Sequence, residues 1–171
     1  MHPFHDLIEH GMEFSLTALS EAYERVAKEL ETSGATRLVK GLQMMRLQLA
    51  VLAVGMFSIF EADLQDSLEC ANGFTEAAAR LDAMGEHALR ERFLDFQLAI
   101  NVLKHGRGRS YDSLIGRASL LPFRVRLPDE HFFHEGDVSE VAILVDVDYA
   151  FLRSCAAVIS EVTTAVSRPR N

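Results

Sequence analysis

The feature that most constrains the fold is an uncharged, mostly apolar run near the middle of the chain. The run, LQLAVLAVGMFSIF, occupies Leu47 to Phe60 and lies between Arg46 and Glu61. A helix needs about 20 apolar residues to cross a bilayer, so the run is too short for that. A helix that is apolar on nearly all sides has to be buried on nearly all sides. The run therefore predicts the central helix of a bundle, or a helix shared with a second subunit.

Apolar residues at helical spacing predict further helices on both sides of this run. The predicted helices cover Leu7 to Leu30, Arg37 to about Glu69, Thr75 to Met84, Glu86 to Lys104 and Tyr149 to Val166, and a short one follows Gly108. We expect Gly34 to close the first helix in the left-handed conformation and Thr36 to cap the second. Either Asp146 or Asp148 is expected to cap the last helix.

The helical pattern breaks between residues 120 and 145. Here LPFRVRLP alternates apolar and basic residues, and we expect Phe123 to Leu127 to pair with Val141 to Val145 as a hairpin. A chain of 171 residues can bury one substantial core. The sequence therefore predicts one all-α domain over 1–166, an up-and-down bundle of four or five main helices with a small irregular or hairpin insertion near 120–145. Residues 167–171 are predicted to be a disordered tail.

Cysteine usage and the amino terminus bear on the compartment. Cys70 and Cys155 lie far apart in apolar helical surroundings, which is typical of buried thiols in a reduced cytosol. The first ten residues, MHPFHDLIEH, lack the charged and apolar regions of a secretory signal. We therefore expect a cytoplasmic protein that does not use a membrane as a partner.

Charge is distributed unevenly along the chain. The net charge is -8, yet the segment 104–126 carries a local charge of +5. Its charged residues are Lys104, Arg107, Arg109, Arg117, Arg124 and Arg126, with Asp112 as the one acid. Such a basic segment on an acidic body can hold phosphates at contact distance. Alternatively, its arginines are solvated and pair with neighbouring carboxylates.

No phosphate-binding loop or catalytic triad pattern occurs, and no cofactor is predicted. His131, His134, Glu135 and Asp137 form a cluster that resembles a metal site by composition. The cluster lacks the helical or finger context that metal ligands usually have, so a polar loop is the preferred interpretation.

The polar residues of greatest interest follow one face of the fourth predicted helix. Gln97, Asn101 and His105 stand at successive i+4 steps, and Gly106 follows. In one interpretation Lys104 and His105 complement the helix dipole while Gly106 closes the helix. In the other, the imidazole of His105 is fixed by Asn101 and exchanges protons beside the arginines.

A long apolar helix ending in FEADL, followed by a helix ending in NVLKHG and by GRSY, resembles the HEPN family of helical-bundle proteins. The similarity covers about Arg37 to Leu114 and, more loosely, the last helix. The resemblance implies a metal-independent ribonuclease from a toxin, defence or RNA-processing system. It also implies a homodimer whose active groups face each other across the two-fold axis.

The family motif transfers to this chain only in part. Asn101 and His105 match the polar residue and the histidine of the motif, and Glu61 corresponds to its polar residue on an earlier helix. The motif arginine is absent, because Leu98, Ala99 and Ile100 occupy the positions where it would stand.

The resemblance leads to a functional prediction with one alternative. Cleavage of RNA through its 2′-hydroxyl needs a base, here His105, and a cation near the phosphate, here Arg107 or Arg109. Lys104 and Tyr111 are expected to support the site or contact phosphate, and RNA is expected to bind along 104–126. The alternative is a non-catalytic homodimeric interaction or regulatory module.

Overall fold

The structure is a computed structural model that describes residues 4–130 and 143–167. In these residues the chain forms six α-helices and a short 3-10 turn, so the prediction of an all-α bundle is confirmed. The helices are α1 (Phe4–Leu30), α2 (Thr36–Ser67), α3 (Gly73–Ala83), α4 (His87–His105), α5 (Arg109–Ile115) and α6 (Tyr149–Val166), and the 3-10 turn is Ala118–Leu120. The predicted tail falls almost entirely outside the described residues.

The helix ends test the capping predictions. Asp148 caps α6, because its carboxylate accepts a hydrogen bond from the Phe151 N–H at 2.7 Å. The prediction for Thr36 is wrong: Ala35 occupies the N-cap position of α2, and no side chain caps that helix. Gly34 does not have a positive φ, and α1 already ends four residues before it, at Leu30. Two of the predicted capping residues therefore do not cap a helix, although the two helices that they were expected to end or begin are present.

A cluster of phenylalanine rings joins the helices at the centre of the bundle. Phe57 on α2 contacts Phe74 on α3 and Phe96 on α4, with ring centroids 6.0 and 6.5 Å apart. Phe96 continues the cluster to Phe123 at 5.1 Å and to Phe151 on α6 at 5.3 Å. Aromatic pairs at these separations stabilise a core beyond the area that they bury.

Within the described chain α2 is not buried on nearly all sides, so the bundle alone does not enclose the apolar run as expected, and a helix shared with a second subunit stays a prediction. Phe57 and Phe60 are fully buried, but Met44, Val51 and Ile59 are 69%, 55% and 59% exposed. The run did predict a central helix correctly, because α2 packs on α1, α3, α4 and α6. It did not reveal that the bundle encloses only part of the helix circumference.

The length and composition of α2 would allow it to cross a membrane, and 33% of its most apolar window is buried in the bundle. The central helix of a globular bundle passes the same test of length and composition, so this finding does not separate the two cases.

The predicted hairpin is present as a single antiparallel bridge between Val125 and Val145. Two backbone hydrogen bonds of 2.9 Å flank it: Arg126 N–H donates to Leu144 O, and Asp146 N–H donates to Arg124 O. The remainder of the expected hairpin, through residue 142, lies outside the described residues.

The start of α3 packs very closely on α2 at Gly73. A Cβ atom at this position would lie 2.7 Å from Leu64 Cβ and 2.8 Å from the backbone oxygen of Glu61. We expect Gly73→Ala to lower the free energy of unfolding by about 1–3 kcal/mol, because the backbone has to move to relieve the clash. Urea unfolding followed by circular dichroism measures this change.

Gly41→Ala is the matched control for Gly73→Ala. Gly41 lies inside α2, and a Cβ there would meet only Val26 at an ordinary 3.8 Å. Removing a glycine from a helix interior should raise stability by about 0.5–1 kcal/mol. Equal effects of the two substitutions would contradict the close packing at Gly73.

Candidate functional site

The corner formed by α4, residues 106–108 and α5 carries most of the residues singled out from the sequence. α4 ends at His105, and the Gly106 N–H donates a 2.8 Å hydrogen bond to Val102 O. Gly106 has a φ of 73°, a region that favours glycine. The expectation that this glycine closes α4 with a positive φ is confirmed, and the turn directs the chain straight into α5.

Asn101 and His105 lie on the outer side of α4. Asn101 is half-buried and His105 is exposed. Among the described residues, no hydrogen bond joins these two side chains or engages either of them with another group. The expected support of the imidazole by Asn101 is therefore not observed, because the exposed ring lies at the very end of the helix. The imidazole is accessible to a ligand.

Arg107 and Tyr111 are the corner residues whose side chains contact each other. The guanidinium carbon of Arg107 lies 5.7 Å from the centroid of the Tyr111 ring, a cation–π arrangement. The ring is 3% exposed, and its hydroxyl donates a 2.6 Å hydrogen bond to the backbone oxygen of Arg126. Tyr111 thus holds α5 against the 125–126 segment and supports Arg107. Its hydroxyl is already engaged, which leaves it poorly placed to contact a phosphate directly.

The interpretation that the arginines of the basic segment pair with neighbouring carboxylates holds for two of them, and phosphate binding stays a prediction. Arg117 pairs with Asp95, and Arg124 donates a 2.7 Å hydrogen bond to Glu130. Within the described part of the chain, the other cations near His105 make no ion pair with a carboxylate. These cations, Lys104, Arg107 and Arg109, are all exposed. The positive charge that remains available is therefore concentrated around the end of α4.

Glu61 does not join this group. It is half-buried near the end of α2, and no described arginine pairs with it. Its backbone oxygen instead lies at the close contact with Gly73.

Asp95 is a charged residue that the sequence reasoning missed. It is 4% exposed, and Arg117 Nε lies 3.3 Å from its Oδ1. Burial raises the pKa of the Asp95 carboxyl more than the charge of Arg117 lowers it, and Glu91 adds a further upward contribution. An acid between two core phenylalanines, Phe93 and Phe96, was the available signal, because such a residue requires a partner.

The described residues contain no group of histidine, cysteine and acidic side chains that could hold a metal ion. The predicted cluster of His131, His134, Glu135 and Asp137 lies outside the described residues. Both cysteines are free, and burial raises the pKa of the Cys155 thiol well above its ordinary value. Cys70 is half-buried.

A cleft of about 560 Å³ lies on another part of the molecule, beside the Val125–Val145 bridge. Glu130 and Asp146 are among its lining residues, and Arg46 lies 3.8 Å from Asp146. Burial raises the pKa of the Asp146 carboxyl in spite of that arginine. None of the corner residues lines this cleft, so the two features are separate.

Comparisons with protein-family models, with curated proteins and with solved structures found no match to this chain. The chemistry of the corner therefore has to be argued from its own residues. These residues combine an exposed imidazole with exposed cations, a combination that can bind an anion and exchange a proton.

Proposed function

We propose that the corner formed by α4 and α5 binds RNA and that the protein is a metal-independent, HEPN-like ribonuclease. One observation carries the proposal: the exposed His105 is surrounded in sequence by Lys104, Arg107 and Arg109, which make no ion pair within the described chain. Cations without carboxylate partners bind phosphates and release counterions in doing so. The acidic remainder of the protein confines this affinity to the corner.

The proposed reaction is an attack of the RNA on its own backbone. The imidazole of His105 takes the proton from a 2′-hydroxyl, and the 2′-oxygen forms a bond to the adjacent phosphorus. The bond from phosphorus to the 5′-oxygen breaks, leaving a cyclic phosphate on one product. The departing 5′-oxygen takes its proton from water, and the imidazolium of His105 returns its proton to the hydroxide that is left. The balance of atoms and protons requires no metal ion or other co-reactant.

Arg107 is the best placed cation for stabilising the charge that develops on the phosphate. Its cation–π contact with the buried Tyr111 ring restrains the guanidinium while leaving its N–H groups exposed. A restrained donor contributes more to the transition state than a mobile one, because less reorganisation is needed during the reaction. Arg109, at the start of α5, is exposed and supplies a second phosphate contact in this proposal.

The second candidate function is a non-catalytic homodimeric interaction module. The observation that favours it is that Lys104 and His105 also suit the carboxyl end of α4, where positive charge complements the helix dipole. In that case the corner residues stabilise the helix end, and the exposed apolar side chains of α2 carry the function.

A cleavage assay separates the two candidates. We expect His105→Ala to reduce cleavage of a single-stranded RNA at least a hundredfold while leaving the melting temperature nearly unchanged. His87→Ala, at the opposite end of the same helix, is the matched control because His87 is also exposed and pairs with Asp82, away from the corner. Cleavage that survives the His105 substitution removes this residue as the base, and an absence of cleavage by the wild-type protein supports the second candidate.

RNA affinity at several salt concentrations tests phosphate binding independently of cleavage. The double substitution Arg107→Ala and Arg109→Ala should reduce the slope of log K against log salt by about 1.4, because each phosphate contact to a single strand contributes about 0.7. Arg25→Ala with Lys28→Ala, two exposed cations on α1, removes the same charge elsewhere. Equal slopes for the two double variants would contradict a phosphate site at the corner.

A further inference from the structure

The exposed face of α2 forms an apolar stripe that nothing in the described chain covers. Met44, Leu47, Val51 and Ile59 are 69%, 48%, 55% and 59% exposed. They recur at intervals of three, four and eight residues, which keeps them on one side of the helix. From Leu47 to Phe60 the helix contains no charged residue. Isolated surface hydrophobics are ordinary, but a mostly apolar and uncharged stripe along several turns indicates an interaction surface.

α1 extends this surface on the same side of the bundle. It runs antiparallel to α2 across a five-residue connection, and Val26 packs over Gly41. Phe14 is 78% exposed and Leu7 is 57% exposed. The two residues are seven positions apart and thus lie within about 20° of each other around α1. Leu16, which is 2% exposed, is nine positions from Leu7 and two from Phe14, so the two exposed residues lie on the side of α1 that faces away from the core.

The area of this surface is close to what one partner contributes to a stable protein interface. The exposed parts of the six apolar residues amount to roughly 700 Å², compared with about 800 Å² per partner in interfaces of standard size. The six residues are Leu7, Phe14, Met44, Leu47, Val51 and Ile59.

The order of charges along α2 indicates what covers the stripe. Its exposed side begins with Arg37 and Lys40 and ends with Asp66, and the midpoint of the helix lies between Val51 and Leu52. A second α2 lying antiparallel about that midpoint brings opposite charges together at both ends. Arg37, whose present contact is an exposed pairing with Glu29 at 3.7 Å, then faces Asp66 of the partner subunit.

The same arrangement matches apolar residues along the stripe. Met44 faces Ile59 of the partner subunit, and Val51 lies at the two-fold axis next to its own copy. A two-fold interface uses one surface twice, so a stripe that is apolar at its centre and oppositely charged at its ends is complementary to itself. Two parallel copies would instead place like charges side by side at each end.

We propose that the exposed α1–α2 face binds a second copy of this chain, with the two α2 helices antiparallel about a two-fold axis near Val51. The interface does not include the corner at His105. Val51 and Phe60 are nine positions apart, so they lie on opposite sides of α2, and the Phe60 side is the one that contacts α4 through Phe93. Each copy therefore keeps its corner on the outside, unlike the facing sites that the HEPN resemblance implies. This assembly does not depend on RNA binding.

The first test is the mass of the full chain in solution, measured by sedimentation over a range of concentrations. We expect a species of twice 19.1 kDa. Val51→Glu should raise the dissociation constant at least about a hundredfold, because it buries two carboxylates against each other at the axis. Leu120→Glu is the matched control, since Leu120 is a 75% exposed apolar residue outside this face. Circular dichroism checks that both variants are folded.

The second test concerns orientation. Arg37→Glu should weaken the dimer, and adding Asp66→Arg should restore it, because the charge order is then reversed at both ends. A spin label on Cys70 provides a distance, since Cys155 is fully buried and does not compete for the label. Antiparallel α2 helices place the two labels roughly 50 Å apart, whereas parallel helices place them within about 20 Å.

Three results would overturn the proposal. The first is a wild-type protein that remains monomeric at 100 µM, a concentration at which about 700 Å² of buried apolar face per partner should suffice. The second is a dimer that Leu120→Glu weakens as much as Val51→Glu does. The third is loss of the dimer in favour of binding to phosphatidylcholine vesicles, which would assign the stripe to a lipid surface. A normal dimer with no RNA affinity would leave this interface standing and reject only the proposed function.

Discussion

Phe96→Ala should lower the free energy of unfolding by about 4 kcal/mol, one of the two largest effects that we expect from a single substitution in this protein. Phe96 is 1% exposed, and its ring lies 5.1 to 6.5 Å from those of Phe57, Phe123 and Phe151. Its removal leaves a cavity that three separate parts of the chain would have to move to fill. Because these parts are held by other core residues, little of the loss is recovered.

Denaturant unfolding at neutral pH measures this effect. Leu120→Ala is the control, because a 75% exposed side chain should change stability by less than about 0.5 kcal/mol. Phe123→Ala should fall between the two, since Phe123 is half-buried at the edge of the same cluster. A loss below 1 kcal/mol for Phe96→Ala would mean that the phenylalanine cluster does not hold the bundle together.

Arg117→Leu is expected to cost about 3 kcal/mol at pH 7, because it leaves the Asp95 carboxylate buried without its cation. We take the lower end of the usual range because the Arg117 side chain is 36% exposed. The double variant Asp95→Leu with Arg117→Leu should be close to the wild type in stability. Arg117 Nη2 donates a 3.4 Å hydrogen bond to Asp95 Oδ2, but Nε and Oδ1, which lie 3.3 Å apart, are buried without one. Replacing both partners of such a pair by apolar side chains therefore costs little.

The stability of Arg117→Leu should also depend on pH. In the folded protein burial raises the pKa of Asp95, so the folded chain retains the proton to a higher pH than the unfolded chain. This contribution favours the folded state at acidic pH and is lost as the pH rises through the raised pKa. Without Arg117 the pKa of Asp95 rises further. The loss in free energy of unfolding caused by Arg117→Leu should therefore become smaller as the pH is lowered from 7 to 4. Asp95→Asn added to Arg117→Leu should abolish that dependence, and a deficit that is constant with pH would contradict the argument.

Most of the architecture could be predicted because it depends on local signals. α6 begins and ends at the predicted residues, Tyr149 and Val166, since Asp148 caps a clearly amphipathic segment. The exposed side of α2 could not be predicted, because Val51 and Phe57 are equally apolar in the sequence. Which of them is buried depends on the number of neighbouring helices, a property of tertiary packing.

The candidate site was predictable to a smaller extent. The positive φ of Gly106 follows from glycine after a helix end, a local rule. The pairing of Arg117 with Asp95 joins residues 22 positions apart, and no local pattern reveals it. A simple charge count therefore overestimated the basic segment: Arg117 and Arg124 are engaged by Asp95 and Glu130. The charge near His105 remains.

The Asp95–Arg117 pair has a consequence for the corner as well as for the core. These residues lie at the two ends of the segment that runs from the middle of α4 through the turn to just after α5, and Tyr111 in α5 links the segment to the backbone of Arg126. The backbone of this segment is therefore restrained at both ends and at Tyr111. A ligand that binds at its tip would therefore meet a backbone that is already ordered, so that little entropy is lost in ordering the backbone.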